Sequence, residues 1–199
     1  MWSCAESRSG WGSTLDATGT IANALPGLVS RFRVERLLDA PCGDFNWLRH
    51  VELPKSLTYI GADVVPAIAD ANKARYACSQ RRFMTMDIIN DALPEADLLF
   101  CRDCLIHFSD DDIFMFLDNF MRSSIEYLMT TTYKPNGSDV ENRNIVTGDF
   151  RALDLFKVPF QLPGDVLFRA DDFAPGAPPR EMCIWSRAQI GTAVGMRRG

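Results

Sequence analysis

Val34-Glu35-Arg36-Leu37-Leu38-Asp39-Ala40-Pro41-Cys42-Gly43-Asp44-Phe45-Asn46-Trp47 decides how this chain is read, because an apolar strand runs into an acid and a glycine turn ahead of a helix start. In an open α/β sheet, ligands sit beyond the carboxyl ends of the strands, where a glycine lets the backbone approach them closely. Working outward, a second apolar run, Leu57-Thr58-Tyr59-Ile60-Gly61-Ala62, ends in Asp63, twenty residues after Gly43. An acid at that place can accept both hydroxyls of an adenosine ribose.

These two signals also fit a dinucleotide-binding unit, which places an acid about twenty residues beyond its glycines. The turn separates the alternatives. A pyrophosphate needs G-x-G-x-x-G so that backbone N–H groups cradle it at a helix N-terminus, whereas this turn offers one glycine flanked by Pro41 and Asp44. A carboxylate there would repel a pyrophosphate, which disfavours a nicotinamide-dependent oxidoreductase. Asp39 and Asp44 suit a positively charged cofactor, such as the sulfonium and amino group of S-adenosylmethionine (SAM).

Further apolar runs end in Phe83-Met84-Thr85-Met86-Asp87 and in Ala96-Asp97-Leu98-Leu99-Phe100-Cys101-Arg102-Asp103. With these four strand ends in order, residues 34 to 133 resemble the class I, Rossmann-like SAM-dependent methyltransferases. The patterns S-x-S-G-x-G-S, D-A-P-C-G-D-F-N-W, C-R-D-C-L-x-H and T-G-D-F-R-x-L-D-L resemble a little-characterised small-molecule branch of them. The resemblance implies an α/β fold with a doubly wound, mainly parallel seven-stranded sheet of order 3-2-1-4-5-7-6, one antiparallel strand, and helices on both faces. It implies SAM as cofactor, with the loop from Asp39 to Asp44 on the methionine part, Asp63 on the ribose, and Asp87 with Ile88 on the adenine. The candidate cofactor-binding residues are then Asp39, Gly43, Asp44, Asp63, Val64, Asp87, Ile88 and Arg102. The chain departs from the family pattern where Asp44 and Asn46 replace the usual second and third glycines.

A net charge of −5 and a sequence pI near 5.0 argue against broad contact with a phosphate backbone, so a small-molecule acceptor is preferred to nucleic acid. A protein or RNA acceptor, or a SAM-binding domain without catalysis, stays as an alternative. The start Met1-Trp2-Ser3-Cys4-Ala5-Glu6 is unlike a secretory signal and no stretch is apolar enough for a membrane span, which sets a cytoplasmic expectation with no membrane partner. Oligomeric state is not legible. Six scattered cysteines suggest reduced thiols, and Cys101-Arg102-Asp103-Cys104 lacks the second ligand pair of a structural zinc, so no metal is expected. Asn136-Gly137-Ser138 reads as a turn.

The chain of 199 residues is read as one domain: residues 1–33 a lid and cap helices, 34–190 the catalytic domain, and 191–199 a mobile tail. Apolar spacing from Thr14 to Arg33 suits an amphipathic helix broken at Pro26, and Phe45 to His50 is expected to start the helix after strand one. Strands are expected near 58–62, 82–86, 97–101, 127–133, 166–169 and 182–185, with helices over 66–78 and after the acids Asp110-Asp111-Asp112.

Methyl transfer from a sulfonium is an in-line displacement, so the acceptor belongs over the ends of strands four and five. His107, one of only two histidines, lies there as a candidate base, and Asp103 as a candidate to hold substrate, orient His107 or shape the loop. Each also has a purely structural reading. Arg102 suits either an anionic group or a neighbouring acid. Trp11 and Ser13 in the glycine- and serine-rich leader, with Asp149 and Arg151 in Thr147-Gly148-Asp149-Phe150-Arg151, are the candidate substrate contacts, and Phe150 and Phe160 the apolar wall.

Overall fold

The computed structural model describes residues 4–134, 141–173 and 177–197; the turn expected at Asn136-Gly137-Ser138 and the last two residues of the tail lie outside them. Seven strands run β1 (Arg36–Asp39), β2 (Thr58–Asp63), β3 (Arg81–Thr85), β4 (Leu98–Cys101), β5 (Tyr127–Tyr133), β6 (Phe168–Asp171) and β7 (Arg180–Ser186). They form one sheet in the order β3-β2-β1-β4-β5-β7-β6. Neighbours from β3 to β5 pair in parallel, while β7 runs antiparallel to both β5 and β6. This is the expected topology, with β7 as its reversed strand.

The centre of the sheet is buried on both faces, which is why β4 reads as an unbroken apolar run rather than an alternating one. On one face Leu37, Phe100, Met129 and Ile184 pack with Ile21, Leu25, Leu28 and Val29 of helix α1 (Leu15–Arg31). On the other, Leu38, Leu99, Leu128 and Trp185 pack with Ile113, Phe116, Leu117 and Phe120 of α3 (Asp110–Arg122) and with Ile190 of α4 (Arg187–Arg197). Helix α2 (Pro66–Tyr76) begins at a proline and lies against β2 and β3. Each of the α1 side chains buried in this way contributes about 1.5–3 kcal/mol over leaving it in water.

Three local readings change. Helix α1 is not broken at Pro26 but continues through it, since the apolar face at Ile21, Leu25, Leu28 and Val29 is buried along its whole length. The expected helix after β1 is absent, and Phe45 to His50 makes only the short 3₁₀ turn Leu48–His50. Phe45 takes φ 57° and buries its ring among Tyr59, Tyr76 and Phe83, so the chain turns aside where a helix would have continued. The segment read as a tail from residue 191 is, as far as Arg197, the end of helix α4. No described helix is long and apolar enough to cross a membrane.

Candidate functional site

The carboxyl ends of β1, β2 and β3 bring three of the expected acids to one edge of the sheet. Asp39, at the end of β1, is 4% exposed and accepts a 2.5 Å hydrogen bond from the Tyr59 hydroxyl. Burial pushes its carboxyl up to about 7, against the opposing effect of that hydroxyl. Asp63, at the end of β2, is 6% exposed; it accepts the Gly43 N–H at 3.1 Å and the Val65 N–H at 2.9 Å, and burial again raises its pKa. Gly43, four residues beyond Asp39 in the chain, is held by Asp63. Val64 beside them is exposed, and Ile88 beyond β3 is buried. The Asp87 carboxylate accepts from the Ile89 N–H and the Asn90 amide of its own turn.

Asp44 has another occupation. Its carboxylate accepts from Ser7 Oγ at 3.0 Å, the Arg8 N–H at 2.7 Å, Ser9 Oγ at 3.3 Å and the Asn46 N–H at 3.3 Å. Asn46 Nδ2 donates to Glu6 Oε1 at 2.9 Å and to the Ser13 carbonyl at 3.0 Å. Asp44 and Asn46 thus fasten residues 4–14 across the first loop as a strap. Gly43 is required by the same closure: its φ is 54°, and a Cβ there would come within 2.3 Å of Ser9 Oγ.

Beyond β4 the chemistry is of paired charges. Arg102 is 7% exposed and grips Asp172 with two nitrogens, Nε at 2.7 Å and Nη2 at 3.2 Å, while Nη1 donates to the Gly12 carbonyl at 2.6 Å. Asp103, at φ 50°, accepts from Arg180 Nη2 at 2.9 Å and lies 3.5 Å from Arg102, and its N–H donates to Thr131 Oγ1 at 2.8 Å. Of the two readings of Arg102, the structure shows the ion pair with an acid. Burial raises the Asp172 pKa against the pull of Arg102.

His107 closes the 3₁₀ turn Leu105–His107, and residues 148–151 lie against that turn through Gly148 N–H to His107 O and Arg151 N–H to Ile106 O. The His107 Nδ1 lies 2.8 Å from the Asp149 carbonyl. A carbonyl only accepts, so in the neutral ring Nδ1 carries the proton and Nε2 the basic lone pair. Phe150 is 42% exposed and stands between the His107 ring, 5.9 Å away, and the Tyr133 ring, 6.3 Å away. Phe160 instead packs on Phe114 in the core. Arg151 is buried, bound to Asp110 Oδ1 at 2.7 Å and to the Arg143 carbonyl at 2.8 Å. Trp11 is 76% exposed at the strap.

The sequence reading did not single out Arg180, Asp172 or Tyr133 as site residues. Arg180 and Tyr133 are register partners on β7 and β5, and Asp172 follows β6, so their approach to Arg102 and Asp103 is created by sheet pairing. No local spacing signals it.

No family model matches the chain, and no curated protein sequence matches it. Solved structures do. A Burkholderia thailandensis 1,6-didemethyltoxoflavin-N1-methyltransferase, bound to 1,6-didemethyltoxoflavin and S-adenosylhomocysteine, superimposes with a TM-score of 0.62 at 14% identity, over 88% of this chain and 80% of its own. A Leishmania major SAM-dependent methyltransferase gives 0.62 at 16% identity, over 82% and 70%. Human N-acetylserotonin methyltransferase in complex with SAM gives 0.56 at 14%, over 84% of this chain and 54% of its own, so this chain spans about half that protein's length. The fold is that of the class I methyltransferases.

Proposed function

We propose that this chain transfers a methyl group from SAM to a small-molecule acceptor at oxygen or nitrogen. The observation that carries the reading is the pair of buried carboxylates at the ends of neighbouring strands, Asp39 on β1 and Asp63 on β2, with Asp63 holding the Gly43 N–H. Burial penalises their charge and no cation is hydrogen-bonded to either among the described residues, so the edge suits a nucleoside that brings hydroxyl donors and positive charge. Asp63 would take the ribose hydroxyls, the exposed Val64 and the Asp87–Ile88 turn the adenine, and Asp39 with Gly43 the methionine end. When bound, SAM supplies an electrophilic methyl on a sulfonium.

The chain's own residues then bind, orient and accept a proton. His107 Nε2 takes the acceptor's proton, and the Asp149 carbonyl holds the ring in the tautomer that allows it. Phe150 and Tyr133 form the apolar wall against which an acceptor lies. Asp103 acts as a positioning residue, fixed between Arg102 and Arg180. Two similar structures are named for small molecules, and the net charge of −5 disfavours a polyanion, which both support a small acceptor.

Calorimetric titration with S-adenosylhomocysteine, with NAD as control, tests the cofactor. Saturable binding of the former alone is expected, and Asp63→Ala lowers that affinity by about 100-fold or more, the cost of two hydrogen bonds to a charged group. A folded protein that binds neither overturns the proposal. With an acceptor found by screening, His107→Ala leaves S-adenosylhomocysteine affinity unchanged and lowers turnover by about 10²–10⁴-fold. Unchanged turnover removes His107 as the base.

A further inference from the structure

The short turn that replaces a helix after β1 has a consequence on the side of α2. A parallel strand pair is usually joined by a crossover helix. Here residues 44–50 form only the short turn Leu48–His50, and a cleft of about 240 Å³ is lined by that loop, the strap and α2. Of the candidate cofactor residues Asp44 alone lines it, and its carboxylate is taken by the strap; Asp39, Gly43, Asp63, Val64, Asp87, Ile88 and Arg102 do not line it, so it is separate from the edge assigned to the cofactor.

Three arginines, one from each wall and all exposed, line this cleft: Arg8 from the strap, Arg49 from the loop and Arg75 from α2. Arg49 is held, donating to the Tyr76 hydroxyl at 3.0 Å and to the Asn46 carbonyl at 3.1 Å. The side chains of Arg8 and Arg75 make no hydrogen bond or ion pair among the described residues. The two acids of the cleft are already engaged with the protein's own donors. Asp44 binds the strap, and Glu6 Oε1 accepts from Leu15 N–H at 2.7 Å and from Asn46. The cleft therefore holds more positive charge than its acids offset, on groups suited to bidentate binding of carboxylate or phosphate.

We propose that this cleft is a second ligand site, for a small organic anion bearing carboxylate or phosphate, which bridges Arg8 of the strap to Arg75 of α2. The volume sets the size: it lies just below the usual range for small-molecule pockets, so the ligand is of metabolite size rather than a polymer segment. Occupancy ties the strap to α2. Because the strap also places Ser9 over Gly43 and Gly12 on Arg102, the site adjoins the strand-end edge through the strap without sharing Asp39, Gly43 or Asp63.

The test is titration of the full chain at low ionic strength with citrate and, separately, inorganic phosphate, against sodium chloride at matched ionic strength, followed by calorimetry. Saturable binding of at least one anion is expected; citrate alone marks the carboxylate source, phosphate alone the phosphate source. Arg75→Ala, on an exposed helix surface, and Arg8→Ala each weaken that binding by about tenfold or more, as loss of a charge-assisted hydrogen bond does. Asp63→Ala leaves it unchanged, which separates it from the cofactor edge. No saturable binding of either anion, or binding that survives both arginine substitutions, overturns the proposal.

Discussion

The two halves of the sheet's carboxyl edge handle charge in opposite ways. At the ends of β1 and β2, Asp39 and Asp63 are buried with hydroxyl and N–H donors but no cation bonded to them among the described residues. Beyond β4 and β5, Arg102, Asp103, Asp172 and Arg180 are also mostly buried, yet each charge meets an opposite one within 3.5 Å. The first half leaves two buried acids with no cation bonded to them among the described residues, which is the ground for placing the proposed cofactor there; the second pairs its charges within itself and holds the loop carrying Asp103.

The largest effect that would break this contrast comes from the paired half. Arg102→Leu strands the Asp172 carboxylate, whose side chain is fully buried, and should cost about 3–5 kcal/mol in denaturant unfolding. The double variant Arg102→Leu with Asp172→Leu should recover much of that loss, because removing both charges leaves none uncompensated. If the single variant loses nothing, the quartet is not the anchor described here.

Asp39→Asn sharpens the other half through pH. In the folded chain Asp39 keeps its proton up to about pH 7, whereas the ordinary value is 3.8. Between these values the folded state binds more protons than the unfolded, so wild-type stability falls as pH rises, by about 2–3 kcal/mol from pH 5 to pH 8. The amide still accepts from Tyr59 and has no proton to lose, so the variant should gain on wild type between pH 5 and pH 8 in denaturant midpoints. An equal difference at both pH values would mean that Asp39 is already ionised at pH 5.

A smaller and more local change is expected at the strap. Asp44→Ala removes the acceptor shared by Ser7, Arg8, Ser9 and Asn46 and should cost about 1–2 kcal/mol. Amide exchange should quicken at Arg8 and Asn46 while the amides of β1 and β4 stay protected. Uniform loss of protection would show that the strap is part of the global folding unit.

Much of this architecture was legible because it rests on local patterns. The apolar runs of β1 and β4 and the Pro66 start of α2 mark their elements without reference to the rest of the chain, and β5 falls where its apolar run lies. Strand β6, with intermediate and exposed residues alternating, has a weaker signal, and it begins at Phe168, two residues beyond the expected start. The helix expected after β1 failed for a tertiary reason: Phe45 is drawn into the cluster of Tyr59, Tyr76 and Phe83, none of them near it in sequence. The departure at Asp44 and Asn46 was visible in sequence, but its meaning required the strap, whose contacts span about forty residues.

The sequence by itself determined the sheet order, through the family resemblance of its strand ends, and the position of the acids at those ends, because apolar runs and the turns that stop them are written locally. Only the tertiary structure decided which acids are engaged. Asp44 is claimed by the strap, Asp172 by Arg102 and Asp103 by Arg180, while Asp39 and Asp63 are buried with no cation bonded to them among the described residues. The physical reason is that a carboxylate's charge state depends on burial and on partners brought by strand pairing and chain crossing, and neither is encoded in the residues beside it.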